Sequence, residues 1–260
     1  MKTYLDAILA HHRQRALADP RSFQELFDLA SRAPACRGFT SAIAHESQSH
    51  LAIIAEIKRR SPSKGHLNIN VDAAQLARQY ELGGAACLSV LTDVEHFSGS
   101  QEDLQVAREA VNIPVLRKDF TVDARDICDA RLMGADAVLL IAAALTAEEM
   151  VSFHDIAVHL GLDVLVEVHD ERELEVALTA NASMIGVNQR DLVTFQVDHE
   201  RAVRMGGVIP RGVVRVAESG VRGLDDAQSL RNAGYDAVLV GESLVTASDP
   251  VESLRSLRCA

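Results

Sequence analysis

The sequence predicts a (β/α)8 TIM barrel with a short N-terminal helical extension, on the strength of an alternation, a spacing and a polar rim. From about residue 50 onward, short apolar runs ending in a polar residue alternate with longer amphipathic stretches, the pattern of βα units in a parallel sheet. Glycine stands just before an apolar run in Gly84-Ala-Ala-Cys-Leu, Gly134-Ala-Asp-Ala-Val and Gly234-Tyr-Asp-Ala-Val, at separations of 50 and 100 residues, and the Ala182-Ser-Met-Ile-Gly run fills the gap. Two βα units per 50 residues suit an eightfold barrel, each glycine ending a helix in the left-handed conformation. A doubly wound open sheet is the structural competitor, but no GxGxxG follows the first strand to support it.

The predicted strands run from Leu51 to Lys58, Ala86 to Leu91, Val115 to Lys118, Ala137 to Ile141, Val164 to Glu167, Ser183 to Asn188, Val213 to Ala217 and Ala237 to Gly241. Ahead of them, Tyr4 to Ala18 and Ser22 to Ala30 read as two helices separated by Asp19-Pro20, with the proline comfortable in a first helical turn. Pro34 to Ser49 is polar and rich in small residues, which predicts a connector running over the barrel surface. Residues 1–260 are thus expected to form a single barrel domain, with 1–49 as extension and connector.

Length and composition set the outer limits. A chain of 260 residues, 48% hydrophobic, buries one sizeable core and leaves no room for a second full domain. The net charge of −11 argues against nucleic acid, whose phosphates are met by clustered Lys and Arg. Cys36, Cys87, Cys128 and Cys259 lie far apart and form no CxxC pair, so reduced thiols are expected rather than a zinc or redox motif. The charge-free run Ala137 to Ala147 is too short to span a bilayer, which takes about 20 residues. The N-terminus lacks the apolar stretch of a signal peptide. A soluble, cytoplasmic protein is the expectation, without membrane or nucleic-acid partners and monomeric. The end of the chain soon after the eighth unit leaves no fused partner enzyme to expect.

Active sites of these barrels lie at the C-terminal ends of the strands. Strand 1 ends Ala55-Glu56-Ile57-Lys58, and alternation puts Glu56 and Lys58 on one face. Strand 3 ends Arg117-Lys118-Asp119-Phe120, strand 5 ends Glu167-Val168-His169, strand 6 ends Asn188-Gln189-Arg190 and strand 7 ends Glu218-Ser219-Gly220. One charge at a strand end is ordinary loop polarity; five at corresponding positions point to a site. Lysines and glutamates close together in a partly dry cavity keep one another charged and act strongly on a substrate. Lys58 and Lys118 suit carboxylates and developing oxyanions, while Glu56 and Glu167 suit proton acceptance or stabilisation of positive charge. Ser219-Gly220 and Gly241-Glu242-Ser243 follow consecutive strands 7 and 8, where such barrels often hold phosphate. Ser61-Pro62-Ser63-Lys64-Gly65 is a basic loop placed either to close over the same ligand or to serve only as a surface turn.

With these residues assembled, the chain resembles indole-3-glycerol phosphate synthase over nearly its whole length. The segments that carry the likeness are Ala55-Glu-Ile-Lys-Arg-Arg-Ser-Pro-Ser-Lys-Gly65, Leu116-Arg-Lys-Asp-Phe120, Leu165-Val-Glu-Val-His169, Ile185-Gly-Val-Asn-Gln-Arg-Asp-Leu192, Ala217-Glu-Ser-Gly220 and Val240-Gly-Glu-Ser243. The resemblance implies conversion of 1-(2-carboxyphenylamino)-1-deoxyribulose 5-phosphate into indole-3-glycerol phosphate, with loss of carbon dioxide and water and with no cofactor or metal. It implies Lys118 as the acid that protonates the ketone oxygen and Lys58 as holder of the substrate carboxylate and a second proton donor. Glu167 would complete proton transfers or stabilise the cationic intermediate, with Glu56, Asn188 and Glu218 positioning the lysines and sugar hydroxyls. It further implies Phe97, Phe120, Arg190 and Leu192 around the substrate, and Ser61, Ser219, Gly220, Gly241 and Ser243 around its phosphate. Gln189 departs from the family's usual asparagine, and Phe97-Ser98-Gly99-Ser100 carries serine where glycine is frequent, so local loop conformation is open at both places.

The rival readings are another phosphosugar barrel, such as phosphoribosylanthranilate isomerase, and a non-catalytic barrel that binds a phosphorylated ligand. The isomerase route calls for a cysteine or aspartate pair at strand ends, where this chain offers Glu56 and Lys58.

Overall fold

The computed structural model describes residues 4–61, 64–191 and 196–260. Eight parallel strands close into a barrel in sequence order: β1 (Ala52–Ile57), β2 (Cys87–Leu91), β3 (Val115–Lys118), β4 (Ala137–Ile141), β5 (Asp163–Val168), β6 (Met184–Asn188), β7 (Val214–Glu218) and β8 (Ala237–Val240). The barrel shuts where β1 pairs with β8, Ala52 lying opposite Ala237. A two-residue hairpin pairs Arg60–Ser61 with Gly65–His66 just above β1. The helices are α1 (Tyr4–Ala18), α2 (Phe23–Ala30), α3 (Phe39–Glu46), α4 (Ala73–Gly83), α5 (Val94–Phe97), α6 (Gln101–Ala110) and α7 (Ala124–Leu132). They continue with α8 (Ala147–His159), α9 (Glu171–Thr179), α10 (His199–Gly206), α11 (Leu224–Asn232), α12 (Glu242–Val245) and α13 (Pro250–Arg258).

The glycine spacing has the physical basis expected of it. Gly84, Gly134 and Gly234 follow helices at φ +91, +90 and +91, a conformation that costs a residue with a Cβ but not glycine. At the position that breaks the series, Asn181 takes φ +58, as asparagine tolerates.

Two apolar layers follow from side-chain alternation. Ile53, Ala55 and Ile57 join the layer between strands and helices, while Ala52 and Ile54 join the barrel interior. The same division puts Leu116, Leu165, Met184 and Val216 inside, and Val115, Val164, Ile185 and Ala217 outside. Counting two residues further along each inward series gives Lys118, Glu167, Gly186 and Glu218, so the fold aims the charged strand ends into the barrel mouth.

The segment before β1 differs from the expected connector. Residues 39–46 form α3, and its Phe39 and Ile43, both 0% exposed, plug the N-terminal end of the barrel among Ala52, Cys87 and Val216. The cap of α3 comes from far along the chain: Gly38 makes no side-chain cap, and the Thr40 amide donates to Asp163 Oδ2 at 3.0 Å. Arg37 N likewise donates to Asp136 Oδ1 at 2.9 Å, while Asp136 Oδ2 accepts from Val115 N at 2.9 Å. Pro20 also differs from expectation, lying in the link before α2 rather than in its first turn; the cap is Ser22.

Because Phe39 fills the barrel floor, Phe39→Ala is expected to lower unfolding stability by about 3–5 kcal/mol. Urea denaturation measures this, and a change within about 0.5 kcal/mol would return the segment to the surface.

Candidate active site

The charged strand ends meet around the ammonium of Lys118. Its Nζ lies 3.4 Å from Glu218 Oε2, 3.8 Å from Glu56 Oε2 and 3.9 Å from Glu167 Oε2. Lys58, one residue past β1, donates from Nζ to Glu56 Oε1 at 2.6 Å. Asn188 Nδ2 donates to Glu167 Oε1 at 3.0 Å, and Asn188 Oδ1 accepts from Arg190 N at 3.0 Å. Register sets the level of this cluster, with Leu91 opposite Lys118, Ile141 opposite Glu167 and Asn188 opposite Glu218.

Two glycines make the space. A Cβ on Gly186 would lie 2.0 Å from Glu218 Oε1, and one on Gly241 would lie 2.5 Å from Glu56 Oε1 and 3.1 Å from Lys58 Nζ. Gly186 therefore supports the site although its side chain is a hydrogen: it leaves room for the Glu218 carboxylate.

Burial and mutual charge set the protonation states. Burial raises the Glu218 carboxyl, as do the charges of Glu167 and Glu56, and Lys118 offsets them only in part, leaving it pushed up to about 8. Among the described residues the Lys118 ammonium, 3.4 Å from Oε2, is the group paired with this carboxylate, and no neutral donor reaches it. For Lys118 the balance runs the other way: burial pulls it down, but Glu218, Glu56 and Glu167 outweigh burial and hold it above the ordinary lysine range. Burial likewise raises Glu56, yet Lys58 and Lys118 overcome it and keep the carboxylate below its ordinary value. Behind Glu167, burial lowers His169, but its bond to Glu173 and the Glu167 charge raise it overall.

A cavity of about 470 Å³ opens above this cluster. Its floor is Glu56, Lys58, Lys118, Glu167, Asn188 and Glu218. Phe97, Phe120 and Arg190 stand on its walls, and Ser61, Ser219, Gly220, Gly241 and Ser243 on the β1, β7 and β8 side. The structure thus brings together every sequence-predicted site residue except Leu192, which lies outside the described residues. Arg117 and His169, though at strand ends, do not face the cavity: Arg117 turns outward to Asp119 Oδ2 at 2.8 Å and the Asp126 carbonyl at 2.8 Å.

Sequence reasoning missed a wall. Tyr4, Leu5 and Ile8 of α1 close one side of the cavity, and His199 and Arg222 stand near the Gly220 turn. Nothing local in Tyr4 to Ile8 signals this; only the docking of α1 does. The two departures from the family pattern are accommodated. Gln189 is fully buried, donates from Nε2 to the Ser219 carbonyl at 2.8 Å and meets His199 Nδ1 through Oε1 at 3.1 Å, tying the β6 end to the β7 loop. Ser98 takes φ +55 after α5, the conformation glycine would adopt without strain.

Ser219 and Gly220 occupy left-handed conformations in succession, at φ +68 and +77. A Cβ on Gly220 would lie 2.5 Å from Val197 Cγ1, so this turn needs glycine. Ser243 Oγ donates to the Val221 carbonyl at 3.1 Å, which joins the β7 and β8 loops into one cradle.

A closed parallel barrel with lysines and carboxylates at its C-terminal mouth, beside a glycine-serine cradle, defines an acid–base enzyme of the (β/α)8 class acting on a small molecule. Residues 5–257 match the family model described as indole-3-glycerol phosphate synthase, and the chain belongs to that family. It is accordingly a carboxy-lyase of tryptophan biosynthesis acting on a phosphorylated small molecule. Among its relatives, indole-3-glycerol phosphate synthase of Koribacter versatilis is 47% identical over 259 residues, 99% of each chain. Indole-3-glycerol phosphate synthase 2 of Streptomyces coelicolor is 49% identical over 245 residues, covering 94% of this chain and 93% of that one. Thiamine phosphate pyrophosphorylase from Pyrococcus furiosus has the same fold at a TM-score of 0.60 and 16% identity, over 82% of this chain and 96% of that one. The family assignment sets aside the isomerase and non-catalytic alternatives.

Glu218 carries a pH signature. Between its ordinary 4.5 and its folded value of about 8, unfolding releases a proton that the folded state retains. Its contribution to stability therefore falls as pH rises through that window and levels off above it. Glu218→Gln is expected to gain on the parent across the window, so denaturant midpoints should be closest near about pH 4 and furthest apart near about pH 9. A pH-independent gap would show that the carboxyl titrates normally.

Proposed function

We propose that ring closure of 1-(2-carboxyphenylamino)-1-deoxyribulose 5-phosphate is driven from the Lys118 ammonium. The observation that carries this is its placement at the centre of three carboxylates on the cavity floor. The ring carbon that bears the carboxylate attacks the ketone carbon, and Lys118 Nζ gives its proton to the ketone oxygen as charge develops there. A lysine held above its ordinary pKa is a weak acid, but an alkoxide is basic enough to take the proton, so the transfer coincides with bond formation. The bond to the carboxylate then breaks, carbon dioxide leaves and its electron pair restores the aromatic ring. Loss of the new hydroxyl as water, with removal of a proton from the neighbouring carbon, completes the indole.

Lys58 faces the substrate carboxylate and supplies the second proton during dehydration. Its partner Glu56 holds it in place at 2.6 Å. Glu167, oriented by Asn188, accepts the proton and stabilises positive charge on the intermediate. Glu218, pushed up to about 8, is largely protonated near neutrality and offers a donor to a sugar hydroxyl. Phe97, Phe120, Arg190 and Leu192 press the anthranilate ring toward the ketone carbon, since closure needs a bent substrate.

The phosphate binds between the β7 and β8 loops. Ser243 commits its hydroxyl hydrogen to Val221, so it acts through its backbone N–H in the first turn of α12, where amides lack intrahelical partners. Ser219, Gly220 and Gly241 present backbone around the anion, and Ser61 closes it from the β1 side. The enzyme acts as a monomer in the cytoplasm, with residues 1–260 as one barrel domain and 1–49 as its extension. Ring closure by this route uses no metal or organic cofactor.

Lys118→Met is expected to lower kcat by at least about 1,000-fold while circular dichroism stays unchanged; indole fluorescence follows turnover, and a fully active variant would overturn the role of Lys118. Replacing Ser219 and Ser243 together by glutamate is expected to raise KM by more than about 100-fold, through loss of the cradle and repulsion of the phosphate. An unchanged KM would move the phosphate elsewhere.

A further inference from the structure

We infer that His12, Asp93 and His96 form a binding site for a divalent transition metal of the zinc class, at the seam between α1 and the barrel. The site is separate from the ring-closing chemistry. One ligand atom from each residue lies within 4.8 Å of the other two. Asp93 Oδ2 is the meeting point, 2.8 Å from His12 Nε2 and 3.2 Å from His96 Nδ1.

The carboxylate is already oriented for this. Its other oxygen, Oδ1, caps α5 by accepting from His96 N at 2.6 Å and Phe97 N at 3.1 Å, which leaves Oδ2 to both imidazoles. Metal sites depend on such outer bonds to fix their ligands. Two imidazoles and a carboxylate are a donor set suited to zinc and its neighbours rather than to calcium or magnesium. Bonds of about 2.0–2.2 Å in a tetrahedral site space the ligand atoms roughly 3.3–3.6 Å apart. The imidazole–carboxylate spacings of 2.8 and 3.2 Å therefore open by about half an ångström or less, and the two imidazole nitrogens, within 4.8 Å of each other, close by at most about 1.5 Å to admit the ion.

An independent observation points the same way. His12 is 1% exposed, and its buried Nδ1 has no hydrogen-bond partner among the described residues. The hydrogen bond that holds the ring among the described residues is therefore the one at Nε2, the atom that faces Asp93 and that a metal would take. Exposed His11 has its ring centroid 5.6 Å from His12 and 5.8 Å from His96, and water is free to complete the coordination. The site also touches the substrate wall: the His12 ring lies 5.3 Å from Phe120, which lies 6.2 Å from Phe97. A bound ion clamps α1 against this wall.

The test uses the full chain, stripped of metal with a chelator and titrated with Co²⁺ and with Zn²⁺. Expected are one equivalent bound per chain, visible absorption of tetrahedral cobalt, and a higher melting temperature with Zn²⁺. His96→Ala leaves the Asp93 cap and His12 in place, and it should weaken binding by more than roughly 100-fold, beyond the loss typical of a supporting residue. It should also abolish the thermal shift; an unchanged circular dichroism spectrum shows that this variant is folded. Absence of bound metal in the parent, or binding that His96→Ala leaves intact, overturns the site and reduces the cluster to hydrogen bonding.

Discussion

The period of two along a strand governs this molecule more than any single contact. In four strands the inward series carries an apolar residue, Ile54, Leu116, Leu165 or Val216, and places a charged one two residues on, at Glu56, Lys118, Glu167 or Glu218. A slip of one residue in any strand would turn its charge into the apolar layer beneath the helices and its aliphatic neighbour into the cavity. Fold and chemistry therefore share one specification. The apolar layers fix the register, and the register delivers the charges to one level.

That arrangement is costly. Three buried carboxylates around one ammonium repel one another, and the system relieves part of the repulsion by leaving Glu218 protonated over much of the neutral range. The ammonium gains what the carboxylates lose, since all three hold Lys118 charged. A buried charge cluster of this kind is poor evidence of stability. It persists because the barrel beneath it is closed, with Phe39 and Ile43 sealing the opposite end, and because Gly186 and Gly241 leave room where a methyl group would collide. In the proposed reaction an entering substrate carboxylate meets Lys58, which is held by Glu56 alone among the described ion pairs, whereas Lys118 stays poised among three partners.

The legible and illegible parts of the sequence divide along the range of the interactions involved. The rim was legible because alternation is local: Glu56 and Lys58 announce a shared face by their spacing alone. The helix-ending glycines were legible for the same reason, since the left-handed conformation is a property of one residue and its neighbours. Helix α3 was not. Its eight residues are short and polar in part, and its cap is an aspartate 123 positions away, so no nearby signal marks its start. The α1 wall was hidden likewise, because Tyr4, Leu5 and Ile8 acquire a role only when the helix docks. His12 and Asp93, 81 residues apart, show the same limit, for a pairing across that distance leaves no spacing to read.

The cavity is consequently built from two parts held by different forces. Its floor rests on the apolar layers of the barrel, which are insensitive to ionic strength. The α1 wall buries only Ile8 and His12 of its own and is fixed chiefly by polar contacts. Arg13 makes a two-pronged bond to Glu149 at 2.9 and 3.0 Å. Arg125 donates to the Ala16 and Asp19 carbonyls at 2.7 Å each, satisfying the C-terminal end of α1. Contacts of this partly exposed kind are individually weak and screened by salt. The extension thus stands at the low-stability end of the molecule while contributing apolar surface to the site. The His12–Asp93 contact is buried where the Arg13 and Arg125 contacts are only partly so, and it is therefore the polar tie of α1 that salt screens least.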